Sequence, residues 1–239
     1  MNPPQLQPCD VLAIGPHPDD IEIATAGTLL LLIASGHGVS LLDCTRGEMG
    51  SRGSAAERAT EAAAAAARLG VRQRVGLGLP DTGVRVDDAS TDLLVAALRA
   101  ARPALLLAPH ARDVHPDHSA TAQLTERAFF LAGLRNHQPQ LGAPHRPRLF
   151  LRYPGNLPVE PSLLVDISSV AAAKAEVVRC YRSQLAPPDR SHIVQGLDLL
   201  ERAEVRDRFY GARRGVFAAE SFWHDGPVPI GHPGSLLRP

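Results

Sequence analysis

The sequence predicts an α/β protein: a mostly parallel sheet covered by helices on both faces, followed by an irregular α+β C-terminal part. Two observations carry this. From Val11 to Leu134, short aliphatic runs alternate with helix-like stretches, and strand–helix alternation builds parallel sheets. The chain has 239 residues, 44% of them apolar and 21% charged, enough for one full-sized core spanning residues 1–239 as a single domain.

Val11–Ile14 reads as a short buried strand, and Ile21 to Ser35 as a helix that Gly36 stops. Val39–Cys44 is a second strand, followed by the glycine-rich loop "TRGEMGSRGS". The alanine-rich stretch Ala55–Leu69 is strongly helical and ends at Gly70. A weak strand is expected at Val75–Leu79, a helix at Thr91–Ala101 and a strand at Ala104–Ala108. Pro116 to Leu134 fits a helix with proline in its first turn. Beyond it, Leu149–Tyr153 and Leu163–Ile167 read as strands, and Val170–Gln184 and Ile193–Ala212 as helices. Residues 139–147 and 154–161 read as loops, and the Gly- and Pro-rich tail after Trp223 as loosely ordered.

A formal net charge of zero argues against a nucleic-acid or anionic-membrane surface. The longest aliphatic run, Leu29 to Ala34, is far short of a membrane span. No signal peptide is visible in "MNPPQLQPCDVLAIG". The three cysteines, Cys9, Cys44 and Cys180, are widely spaced and read as ordinary reduced thiols of a cytoplasmic protein, with Cys44 placed where it could approach a site.

Two polar stretches interrupt this pattern. "GPHPDDIEI" follows the first strand and "PHARDVHPDH" the fourth. Ligands of open parallel sheets bind beyond the carboxyl ends of the strands, and strands one and four flank the switch point of the commonest doubly wound order. The two stretches are therefore expected to meet. Imidazole and carboxylate donors suit zinc or iron. A catalytic zinc takes three protein ligands and leaves one position for water, a count that His17, Asp20 and His118 fit. Asp19 would then point away from Asp20, free to take a proton from water, and the metal charge would make the adjacent carboxylates tolerable. Each stretch also suits a helix N-cap, and capping is compatible with ligation. His110 is ambiguous, and the remaining histidines read as surface residues.

In order, "PHPDDIE", "TRGEMGSRG", "LPD" and "HPDH", with the later "VDISS", "YRSQ" and "GVFAAESF", resemble the LmbE-like (PIG-L-like) zinc N-deacetylases, particularly their bacillithiol-biosynthesis branch. The resemblance runs from about Val11 to Phe222. It implies a Rossmann-like three-layer fold and removal of acetyl from an N-acetylglucosaminyl group, N-acetylglucosaminyl malate in that branch. It implies zinc on His17, Asp20 and His118, with iron as the alternative in the cell, and Asp19 as general base. His115, in a protonated form, would hold the oxyanion and help protonate the leaving amine, with Asp117 placed to orient it or tune its pKa. Arg52, Asp81 and Arg112 would contact a small-molecule glycoside substrate, and a homo-oligomer such as a hexamer is expected. Three other readings stay open: deacetylation of an inositol-linked or chitin-derived substrate, an iron oxygenase using two histidines and a carboxylate, and a non-catalytic Rossmann-like binding module. The last has little support, because no G-x-G-x-x-G follows the first strand.

Overall fold

The computed structural model describes residues 5–185 and 198–228. The elements run β1 (Val11–Gly15), α1 (Asp20–Ala34), β2 (Val39–Asp43), α2 (Ala55–Leu69), β3 (Gln73–Gly76), α3 (Asp88–Ala101), β4 (Leu105–Pro109) and α4 (Pro116–Ala132). They continue with β5 (Leu149–Tyr153), β6 (Leu163–Asp166), α5 (Ala171–Val178), α6 (Arg182–Leu185), α7 (Leu199–Arg214) and β7 (Ala219–Phe222).

The main sheet has five strands in the order β3-β2-β1-β4-β5, and every pair is parallel. Side chains alternate across it, as the strand period requires. Leu12 and Ile14 of β1 join Leu94, Leu98 and Leu124 of α3 and α4 on one face. Val11 and Ala13 join Ile21, Leu29, Ala65 and Val177 of α1, α2 and α5 on the other. The order reverses between β1 and β4, so the segments leaving these two strands line one crevice, as expected from the sequence.

Local chemistry sets the helix ends. Ser54 and Glu57 form a reciprocal capping box at the start of α2, and Gly70 closes it at φ 79°. Asp87 caps α3 by accepting from the Ser90 N–H, so the helix starts earlier than expected. The strand expected at Val75–Leu79 lies instead at Gln73–Gly76. Leu77 and Leu79 are buried, but their N–H groups follow the end of β2 to the carbonyls of Asp43 and Cys44, outside the ladder.

The helix expected over Val170–Gln184 breaks into α5 and α6, where Tyr181 turns inward to donate to Glu22 at 2.9 Å. The helix expected over Ile193–Ala212 runs from Leu199 to Arg214, and 193–197 lie outside the described residues, as do 229–239 of the expected loose tail. A strand not expected from the sequence, β7, pairs antiparallel with β6.

The C-terminal part grips α1. Glu220 of β7 accepts from the N–H groups of Gly27 and Thr28 at 2.8 and 2.7 Å, and Arg206 of α7 donates to Ile23 O at 2.7 Å. Lys174 forms ion pairs with Glu220 and Asp207, each at 2.7 Å, and all three side chains are buried. Removing one partner of a buried ion pair costs about 3–5 kcal/mol. Glu220→Ala is therefore expected to destabilise the protein by about 3 kcal/mol in urea unfolding; a loss below about 1 kcal/mol would show that the cluster behaves like a surface pair.

Candidate metal centre and active site

The loop leaving β1 places His17 and Asp20 on one side of the crevice. His17 Nδ1 lies 3.1 Å from Asp20 Oδ2. Across the switch point, the first turn of α4 brings His118 Nε2 to 3.3 Å from the same oxygen. One donor atom from each of the three lies within 4.8 Å of the others. These are the three residues expected from the sequence to converge.

The outer ring nitrogens favour this donor set. His17 Nε2 faces Asp81 Oδ1 at 3.1 Å and Asp117 Oδ2 at 3.2 Å. His118 Nδ1 faces Asp113 Oδ2 at 3.1 Å. Metal-binding imidazoles characteristically donate their second N–H to a carboxylate, which fixes tautomer and ring orientation. A second grouping, His17 with His115 and Asp117, is also compact. Its Asp117 oxygens, however, already accept from the N–H groups of Thr82 and Val84 at 2.7 and 3.2 Å.

The electrostatics suit a cation. Burial alone would lower the His118 imidazole, but Asp20 and Asp113 outweigh it and lift it to about 9. Burial likewise opposes the charged form of Asp20, yet His118 and His17 hold its carboxyl well below the usual range. The cluster draws positive charge, which a divalent ion held by His17, Asp20 and His118 would supply in place of the imidazole protons.

Asp19 belongs to a different arrangement. It stands at the N-cap position of α1 with φ 114° and makes no side-chain cap bond, so the capping reading fails for it. A non-glycine residue held in such backbone costs about 1–3 kcal/mol. Its Oδ2 accepts instead from Arg58 Nη2 at 3.1 Å. Burial pushes the Asp19 carboxyl up to about 7, with Arg58 opposing and Asp20 adding to the rise.

At the start of α4 the capping reading holds beside the site reading. His115 is the N-cap, its Nδ1 accepts from the Asp117 N–H at 3.2 Å, and Pro116 follows in the first turn. Burial, then the nearby His17 and His118, lower the His115 imidazole.

Several expected roles change. The Asp117 carboxylate does not hydrogen-bond His115 but braces His17; its backbone N–H meets the His115 ring, and its charge acts on that imidazole in the raising direction. Asp81 is not turned outward to a sugar. Its oxygens face His17 and the Met49 N–H, the latter at 2.7 Å. Arg112 is exposed, its backbone N–H donating to His110 Nδ1. Arg52 is half-buried, its carbonyl accepting from Gln184 Nε2 at 2.9 Å. Neither arginine lines the cavity that opens beside the cluster. Cys44 is fully buried, and burial pushes its thiol up to about 12, which leaves it inert.

Other roles emerge only from the structure. Asp113, its side chain fully buried, accepts from the N–H of His115 at 2.8 Å and from Asn156 N and Nδ2 at 2.7 and 3.0 Å. Gly155 must lack a side chain there, since a Cβ would stand 2.1 Å from Asp113 Oδ2. A cavity of about 490 Å3 adjoins the cluster, lined by Asp19, Asp20, Asn156, Arg202, Arg206 and Phe209 among others. Asp113 shares the "PHARDVHPDH" segment with His118, the one hint the sequence offers; Asn156 and Arg202 have none.

Three convergent donors with a separate buried carboxylate, opening on a cavity, have the form of a metal-dependent hydrolase centre. The relatives agree. Residues 12–129 match the PIG-L family, described as GlcNAc-PI de-N-acetylase. The diacetylchitobiose deacetylase of Thermococcus kodakarensis is 32% identical over 185 residues, 73% of this chain and 69% of that protein. A 1D-myo-inositol 2-acetamido-2-deoxy-alpha-D-glucopyranoside deacetylase of Nocardiopsis dassonvillei is 34% identical over 154 residues, but the match spans only 54% of its length. The crystal structure of the conserved protein TT1542 from Thermus thermophilus superposes with TM-score 0.84 at 38% identity, covering 94% of this chain and 98% of that one. The chain belongs to the PIG-L (LmbE-like) family of N-deacetylases.

Metal analysis tests the donor set. His118→Ala is expected to lose the ion. Asp113→Asn should retain the fold and bind the ion about 10–100-fold more weakly. Full occupancy in His118→Ala would refute the assignment.

Proposed function

We propose that the protein removes the acetyl group from N-acetylglucosaminyl malate, with zinc on His17, Asp20 and His118 and with Asp19 as general base. The carrying observation is the separation of Asp19 from Asp20: adjacent in sequence, one faces the two imidazoles and the other a guanidinium. A bound zinc ion supplies Lewis-acid polarisation of the amide carbonyl and acidifies a water molecule.

The chain's own residues do the rest. The Asp19 carboxylate, raised by burial toward neutrality, takes the proton as water attacks the amide carbon. His115 accepts an N–H at Nδ1, so its ring proton sits on Nε2. The neutral imidazole, rather than the imidazolium expected from the family resemblance, donates to the developing oxyanion. When the C–N bond breaks, Asp19 returns the proton to the leaving amine, giving acetate and free glucosamine nitrogen.

The later sequence motifs support the malate aglycone, and so does Arg202. It lines the cavity, and among the described residues the one hydrogen bond of its guanidinium uses Nη2, to Asn156 Oδ1 at 2.9 Å. The remaining edge of the guanidinium suits a carboxylate. Free Cys9, Cys44 and Cys180 support a reducing, cytoplasmic setting. A second reading, an inositol-linked or chitobiose substrate, rests on the named substrates of the relatives.

Acetate release from the malate glycoside, the inositol glycoside and diacetylchitobiose, with metal-stripped protein as control, decides between them. The malate glycoside is expected to give the highest kcat/KM, and Arg202→Ala to raise KM for it about tenfold or more. A faster reaction on either neutral glycoside would overturn the aglycone but leave the deacetylase. Asp19→Asn is expected to keep its zinc and lose about 100-fold or more in kcat.

A further inference from the structure

Arg58 is charged, 5% exposed and carries no signal in the sequence pattern. It lies on the first turn of α2, just past the Ser54–Glu57 capping box. Its Nη2 donates to Pro18 O at 2.6 Å and to Asp19 Oδ2 at 3.1 Å. Its Nη1 donates to Gly47 O at 3.0 Å.

The glycine-rich loop is shaped around this guanidinium. Gly47 has φ 65°, and a Cβ there would stand 2.0 Å from Arg58 Nη1. A Cβ on Gly50 would stand 3.1 Å from the same atom. The arrangement is not the one stability alone would select, because Arg58 Nε is buried with no hydrogen-bond partner among the described residues. Such local violations concentrate at functional sites.

We propose that Arg58 is the positioning residue of the general base. This rests on the reading of Asp19 as that base. Arg58 holds the Pro18 carbonyl and one oxygen of the Asp19 carboxylate together, and so holds the residue whose φ is 114°. With Oδ2 tied back, Oδ1 is left for the attacking water. The same guanidinium anchors the turn at Gly47, which links the loop at residues 45–54 to the base. Lysine cannot reproduce this, since a point charge lacks the planar fork that reaches three acceptors.

Zinc-loaded variants test it on whichever of the three glycosides the wild type turns over fastest, with metal content and thermal unfolding measured on the same samples. Arg58→Gln is expected to lower kcat about 100-fold with KM changed less than about threefold, and to keep its zinc. Arg58→Ala is expected to regain part of its kcat when guanidinium ion is added. Gly47→Ala leaves the arginine in the chain but blocks its seat, and should show the same loss in kcat.

The double variant Asp19→Asn/Arg58→Gln should be no slower than Asp19→Asn, because residues acting as a unit are not additive. Wild-type kcat in Arg58→Gln, or a double variant slowed by the product of both single effects, would overturn the proposal and spare the base assignment. So would a kcat loss fully restored by reloading zinc, which would make Arg58 a support of the metal. Wild-type turnover in Asp19→Asn would instead remove the base assignment, and the proposal with it.

Discussion

The site depends on making two consecutive carboxylates face opposite ways. Extended backbone would do this by alternation, but Asp20 opens a helix and Asp19 is its N-cap. The chain resolves the conflict with a local backbone distortion, φ 114° at Asp19, which costs about 1–3 kcal/mol. The distortion persists because both ends are fixed. On one side Asp20 accepts from the backbone N–H of His17 at 3.1 Å; on the other Arg58 holds Asp19 and the Pro18 carbonyl.

Holding that turn takes much of the fold. The parallel order places the ends of β1 and β4 side by side, and Tyr153 of β5 donates to Ile14 O at 2.7 Å, pinning the end of β1. The helix that begins at Asp20 is gripped farther along by Glu220 and Arg206. A buried network of Glu22, Arg74, Asp43 and Tyr181 ties the first turn of α1 to β2, β3 and the α5–α6 junction. The C-terminal part thus bears on the geometry of Asp20 along the length of its helix, and through Asn156 and Arg202 it also forms a wall of the cavity.

How much of this is legible in the sequence follows from where each residue finds its partners. His17, Asp20 and His118 are legible because they follow aliphatic strands, and strand ends share one edge of a parallel sheet. The helices α2 and α4 are legible because their caps and breakers are local. Asp117 reads as the partner of His115, its sequence neighbour, whereas its carboxylate braces His17 from across the switch point. Arg58 and Asn156 carry no local signature, since their roles exist only through contacts with distant segments; Asp113 has only its place in the histidine-rich segment. The break at Tyr181 is hidden for the same reason: the stretch has helical propensity, and a buried tyrosine–carboxylate bond overrides it.

The outer carboxylates give the cluster its direction. With the His17 Nε2–H committed to Asp81 and Asp117, the lone pair of that ring is at Nδ1, toward Asp20. With the His118 Nδ1–H committed to Asp113, its lone pair is at Nε2, also toward Asp20. The nitrogen that each ring turns to an ion once it gives up its second proton is therefore chosen in advance, by carboxylates anchored to backbone N–H groups of Met49, Thr82, Val84 and Asn156. Those anchors belong to loops after β2, β3 and β5, so the orientation of two imidazoles is fixed by the sheet edge rather than by the segments that carry them. Loss of an anchoring carboxylate would free a ring to rotate, which weakens a metal site without deleting any of its ligands.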